Sequence, residues 1–160
     1  MESVKFVPTQ DISVKIEALF ESEKQKLIDL FKGLEIDIEH VGGTSVPDSI
    51  SKGDLDINIR VKPMDFKRVI EILKKIYKIN QPENWSPEFA SFKDDARNLG
   101  IQLTIKGSKE DYFVAQREYL KIHPEKVTEL NALKEMFEGK SMEEYRKAKN
   151  EFFKNLNVNL

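Results

Sequence analysis

Asp54 and Asp56 stand two residues apart in an apolar run, Asp54-Leu55-Asp56-Ile57. In a strand that spacing puts both carboxylates on one face, with Cα atoms roughly 7 Å apart. Two such carboxylates suit one hard cation, Mg2+ or Mn2+, which takes oxygen ligands and shares them with substrate phosphates. Asp is disfavoured in strands, so two on one face call for compensation. The bland alternative is a pair of solvent-facing carboxylates on a strand edge. Upstream lies Val41-Gly42-Gly43-Thr44-Ser45-Val46-Pro47. Gly42, Gly43, Thr44 and Ser45 form a turn whose backbone N–H groups and hydroxyls suit phosphate oxygens. An ordinary strand-to-helix junction, with Thr44 or Ser45 as N-cap, has the same composition. Lys52, two residues before Asp54, adds a charge for phosphate. Metal pair plus phosphate cradle is equipment for binding a nucleoside triphosphate.

A sheet has to position these groups. Residues 36–41 alternate apolar and polar and predict a strand, and the Gly pair breaks it. A short helical turn is expected near 46–51. Residues 54–61 predict the next strand, with Leu55, Ile57, Ile59 and Val61 on one face and Asp54, Asp56, Asn58 and Arg60 on the other. Residues 99–106 predict another, and Phe89–Phe92 a short one. A helix is expected over 15–32, from Ile16, Leu19, Phe20, Leu27, Leu30 and Phe31. A second is expected over 66–79, capped by Asp65, with Phe66, Val69, Ile70, Leu73, Ile76 and Tyr77 as its buried stripe. Three more, over 109–122, 125–138 and 142–157, are separated by Pro124 and by Gly139-Lys140-Ser141. The pattern is α+β: a small mixed β-sheet with packed helices and a C-terminal helical segment. The expectation is one domain over 1–160, with a sheet-bearing core at about 15–107 and a helical part at about 108–160.

Composition narrows the function classes. The chain of 160 residues has no cysteine and two histidines, which excludes disulfides and Cys-ligated zinc and disfavours a His-rich metal site. The net charge of −2 gives no global field toward nucleic acid or anionic membrane, so neither partner is indicated. The first ten residues lack the charged-then-apolar leader pattern, and no apolar run reaches membrane-spanning length. A cytoplasmic, soluble protein is therefore expected. Oligomeric state is not legible.

Basic residues also sit on apolar stripes. Tyr145, Lys149, Phe152 and Leu156 share one helix face, and Phe113, Arg117 and Leu120 another. By spacing alone, Arg117 and Lys149 read as snorkelling side chains with packed stems and wet charges. His40 reads as structural, His123 as a helix C-terminal residue, and Trp85 as unassigned.

The strings HVGGTSVP and KGDLDI resemble the GrpB-like family, and the match continues through FASF, GIQLTIKGSKEDYF, REYLKIHPE and LNALKEMFEGKSMEEYRKAKNEFF, about residues 15–156. The resemblance implies the nucleotidyltransferase fold typified by DNA polymerase beta. It implies a site in which Asp54 and Asp56 hold Mg2+ (or Mn2+) and serve catalysis, while Gly42–Ser45 and Lys52 take phosphate. It places Arg117 and Lys149 across the cleft, facing phosphate or an acidic acceptor, with Tyr145 either in the core or against the ligand. The implied reaction moves a nucleotidyl group from an NTP to an unidentified acceptor. A non-catalytic nucleotide- or metabolite-binding module on the same fold, or an interaction protein, stands as the alternative. Three departures from the pattern matter. Gly43 replaces a Ser. Asp48 replaces a Gly and is expected to point outward. The strand at 99–106 offers Gln102 and Thr104 where a third carboxylate is expected, leaving Asp94, Asp95 or Glu88 as substitutes.

Overall fold

In the computed structural model, which describes residues 3–156, the expected α+β architecture forms around a five-stranded sheet. In chain order the elements are β1 (Val7–Pro8), α1 (Ser13–Leu30), β2 (Ile36–Val41), β3 (Ile50–Ser51), β4 (Leu55–Val61), α2 (Phe66–Leu73), β5 (Lys78–Ile79), β6 (Phe89–Asp94), β7 (Leu99–Ile105), α3 (Phe113–Ile122), α4 (Pro124–Met136) and α5 (Met142–Asn155). The sheet order is β2-β4-β7-β6-β5; β4 and β7 run parallel and the other neighbours antiparallel, so the sheet is mixed.

The period-2 pattern of β4 divides the sheet into two chemistries. Leu55, Ile57, Ile59 and Val61 are fully buried, as are Ile101 and Leu103 of β7. They pack with Phe20 and Leu27 of α1 and Val69 and Leu73 of α2 in the main core. Burying each such side chain contributes about 1.5–3 kcal/mol. The other face carries Asp56, Asn58 and Arg60, with Gly100, Gln102 and Thr104 beside them in register. Arg60 donates to Asp111 through Nε (2.7 Å) and Nη2 (2.8 Å), which fastens the segment before α3 over this polar face. A smaller cluster of Val46, Leu120, Val127 and Leu130 joins the C-terminal helices to the Gly-rich turn.

Several expectations shift. The helix expected over 66–79 ends at Leu73, because residues 78–79 instead pair with β6. Tyr77 stays buried beyond the helix, while Ile76 is 41 % exposed. Asp65 holds the N-cap position without a side-chain capping bond. Leu30, placed on the buried stripe of the first helix, is 40 % exposed. The turn expected near 46–51 comes earlier, as a 3-10 turn at Gly43–Ser45, and Ile50–Ser51 is a strand paired with β1. The last expected helix ends at Asn155; its final expected residue, 157, lies outside the described residues. The N-terminal segment, unassigned in sequence, clasps the α4–α5 turn: Val4 N donates to Lys140 O (3.0 Å) and Gly139 N to Val4 O (2.6 Å). No helix among the described residues is long and apolar enough to cross a membrane.

Candidate functional site

Between the polar face of the sheet and α3–α5 lies a cleft of about 720 Å³. Asp54 and Asp56 both line it, although β4 begins at Leu55, so Asp54 sits one residue before the strand. Both are half-buried. Burial pushes the Asp56 carboxyl up to about 7, and the Asp54 charge pushes the same way; Lys149, Lys52 and the Gln102 amide oppose.

Glycines make room for that carboxylate. Gly42 has φ +78°, and a Cβ there would overlap Asp56 Oδ2. A Cβ on Gly100 would sit 3.3 Å from Asp56 Oδ1. A Cβ on Gly43 would press on Ser51 Cβ at 3.0 Å, which accounts for glycine at this position. Asp48 takes φ +65°, the left-handed region that favours glycine, and its side chain is exposed as expected.

The turn hydroxyls are engaged in building the turn. Thr44 is buried; its Oγ1 donates to Asp54 O (3.0 Å), so His40 Nε2 donates to Thr44 Oγ1 (2.9 Å). This gives His40 a structural role, stacked on Phe20, and burial, with Arg117 and Lys121, pushes it down to about 4, which favours the neutral ring. Ser45 Oγ donates to Gly42 O (2.5 Å). Neither Thr44 nor Ser45 lines the cleft, whereas Gly42 and Gly43 do. The Ser45 and Val46 amides turn back to Gly42 O and Gly43 O, and among the described residues the Gly43 and Thr44 amides have no acceptor. The turn therefore presents backbone, not hydroxyls, to the cleft.

Lys52, Lys134 and Lys149 face the carboxylates. Lys149 is half-buried and its Nζ lies 5.6 Å from the Tyr145 ring centroid. Burial and Lys52 hold its ammonium below the usual range, against Asp56 and Asp54. Lys134 is 3 % exposed; burial pushes it down to about 8, helped by Lys149. Its Nζ donates to Ile50 O (2.5 Å), leaving two N–H groups for a ligand. Tyr145 is 2 % exposed yet lines the cleft, and burial followed by the Asp54 and Asp56 charges raises its phenol. It is both a core residue and a wall of the cleft.

Arg117 also lines the cleft, but its guanidinium is bound to Glu39 (2.9 Å), Glu118 (2.8 Å) and His40 O (2.8 Å). It braces α3 against β2 and is not aimed at a ligand. His123 caps α3 through Tyr119 O, and Trp85 packs on Phe92. Lys134 was not singled out in sequence. Its signal was there: Val127, Leu130 and Lys134 share one helix stripe, the pattern that drew attention to Arg117 and Lys149.

The position of the third carboxylate is held by Gln102, whose Nε2 donates to Asp56 Oδ1 (3.3 Å). Thr104 is fully buried and bonded to Asn58 and Asp111. Asp94 is held by Arg97 (2.7 Å) and Asp95 by Lys93 (3.3 Å), while Glu88 does not line the cleft. Among the described residues no third His, Asp or Glu joins the pair in a metal-ligating cluster. The Gln102 Oε1 is buried without a hydrogen-bond partner. Two carboxylates, an unpartnered amide oxygen and glycines clearing the Asp56 oxygens fit a hard cation that completes its shell with phosphate and water.

Comparisons with known proteins agree with this architecture. Residues 8–158 match the family model described as GrpB protein. The chain is 28 % identical over 153 residues to a UPF0157 protein of Vibrio cholerae, covering 94 % of this chain and 80 % of the relative. Its fold is similar to that of the conserved protein GrpB from Enterococcus faecalis, with a TM-score of 0.68 and 20 % identity over 94 % of this chain and 98 % of that one.

Proposed function

The chain belongs to the GrpB protein family, and from that premise we propose that its cleft binds a Mg2+–nucleoside triphosphate and moves the nucleotidyl group to an acceptor hydroxyl. The observation carrying this reading is the meeting of Asp54 and Asp56 with Lys52, Lys134 and Lys149, three lysines without a carboxylate ion-pair partner among the described residues. Buried cations left unpaired are costly, and a phosphate chain relieves that cost.

In this reading Asp54 and Asp56 hold the cation, with the Gln102 amide group donating to Asp56 beside them. The Gly43 amide and the three lysines take the phosphate oxygens. The cation supplies charge neutralisation on the departing pyrophosphate. The acceptor oxygen forms its bond to the α-phosphorus as the α–β bridging bond breaks, and the lysines hold the charge of the leaving group. Gln102 is no base, so the hydroxyl proton goes to solvent. A loose transition state, in which the nucleophile gains little bonding early, makes a weak base tolerable.

Gln102 supports a second reading, a binding module that holds the nucleotide without turnover. Titration calorimetry with each NTP, with and without Mg2+, combined with a pyrophosphate-release assay, separates the two. Mg-dependent binding with release supports transfer; binding without release under all acceptors tried supports the module; retained binding in Asp54→Asn/Asp56→Asn removes the site assignment.

A further inference from the structure

Of the seven cations that line the cleft, five stand apart: Lys52, Lys134 of α4, and Arg146, Lys149 and Lys154 of α5. None lies within 4.0 Å of a carboxylate among the described residues. Elsewhere in the same cleft charges are paired, Lys93 with Asp95 and Arg117 with Glu39 and Glu118. Asp54 and Asp56 are the cleft carboxylates left to balance the five, in a chain whose net charge is −2. A magnesium triphosphate carries about two net negative charges. It leaves at least one positive charge of the wall unmatched.

The surplus has a place. Lys52 and Lys149 act on Asp56, whereas Arg146 and Lys154 are exposed and not among the charges that move it. On α5 they line the cleft together with Asn150 and Phe153. Building on the nucleotide reading above, we propose that the acceptor is a small phosphorylated molecule, its phosphate held by Arg146 and Lys154 while its hydroxyl reaches the α-phosphorus. The guanidinium and ammonium supply charge-assisted donors for that phosphate, and Asn150 a neutral polar neighbour. A phosphate monoester, at about −1.5 to −2, takes up that remaining charge and more. A small molecule fits better than nucleic acid, since these donors lie in a bounded cleft and the chain's net charge of −2 gives no general attraction for a polyanion.

The test uses protein loaded with Mg2+ and a non-hydrolysable α,β-methylene ATP. Ribose 5-phosphate and glycerol 3-phosphate are titrated in, with ribose and glycerol as uncharged controls, into wild type, Arg146→Gln/Lys154→Gln and Lys154→Gln. The phosphorylated probes should bind and the controls should not. The double variant should lose at least about tenfold in probe affinity, and Lys154→Gln less, while nucleotide affinity changes by less than about threefold. Both side chains are exposed, and an unchanged circular dichroism spectrum confirms the fold. Nucleotide binding with no phosphate-dependent probe binding overturns the acceptor class and leaves the nucleotide site standing. Probe binding lost in the double variant, in a protein that takes no nucleotide, keeps the anion subsite and removes the nucleotide reading. A single-stranded oligonucleotide that binds more tightly than either probe, through the same residues, overturns the small-molecule assignment.

Discussion

Among the described residues Glu23 and Lys134 are the charged residues withdrawn furthest from solvent, at 1 % and 3 % exposure. Their surroundings differ in kind. Glu23 is closed in: Arg97 donates from Nη1 (2.5 Å) and Nη2 (3.2 Å), the Tyr77 hydroxyl donates to Oε1, and Lys26 lies 3.6 Å away. Burial alone would raise Glu23, but these bonds hold it below the usual carboxylate range. Lys134 has a carbonyl and two repelling lysines, and no carboxylate within ion-pair distance among the described residues. A buried charge whose partners come from the chain joins elements; a buried charge that lacks them is costly, and on the proposed reading a ligand offsets that cost. Glu23 joins α1 to Tyr77 and to the β6–β7 turn. Lys134 and its neighbours hold an anion-shaped demand beside Asp54 and Asp56.

Breaking each cluster should give opposite readouts. Glu23→Ala should cost about 3 kcal/mol of stability, the low end for a broken buried pair because Arg97 is partly in water, and leave nucleotide affinity unchanged. Urea unfolding and calorimetric titration measure the two. Gly42→Ala should weaken Mg-dependent nucleotide binding about a hundredfold, as its Cβ displaces the Asp56 carboxylate, comparable to losing support of a metal ligand. A smaller change would mean that Asp56 is not held where the cation needs it. Lys134→Met should lower nucleotide affinity about tenfold, the loss of a charge-assisted bond, with stability altered by less than about 1 kcal/mol. A large stability loss with full affinity would place Lys134 with Glu23 as a structural charge.

The smallest effect is a pair of opposing pH slopes. Glu23 is depressed in the folded state, so its contribution is present above the ordinary carboxylate range and is lost as pH falls. Asp56 is raised to about 7. Between the ordinary carboxylate range and about pH 7 the folded state holds a proton that the unfolded chain has released, so stability falls as pH rises through that window. Urea midpoints from pH 4 to 8 should show this decline, and Asp56→Asn should flatten it. An unchanged slope in the variant would show that Asp56 ionises as an ordinary carboxylate.

The same contrast explains what the chain discloses before folding. Asp54, Asp56 and the Gly pair were legible because their information is local: strand period places the carboxylates, and the apolar alternation of β4 says which face is wet. Lys149 was legible as a cation on an apolar stripe, and Lys134 carried the same mark. What the stripe could not tell was whether a partner comes from across the fold. Arg117 meets Glu39, 78 residues away, and becomes a brace, while Lys149 meets none. Nor could it give the Glu23 cluster, whose partners lie 54 and 74 residues along the chain. Helix α2 reads longer in sequence than in the fold because β5 pairing overrides a continuing apolar period. Thr44 drew a phosphate role from its type, yet burial sets its hydroxyl to building the turn.

The central claim is that the unpaired lysines and the two carboxylates form one nucleotide site. Isothermal titration with each NTP, with and without Mg2+, in wild type and Asp54→Asn/Asp56→Asn tests it most directly. The account predicts saturable binding that requires Mg2+ and disappears in the double variant. Binding that is indifferent to Mg2+, or that survives the double variant, contradicts it.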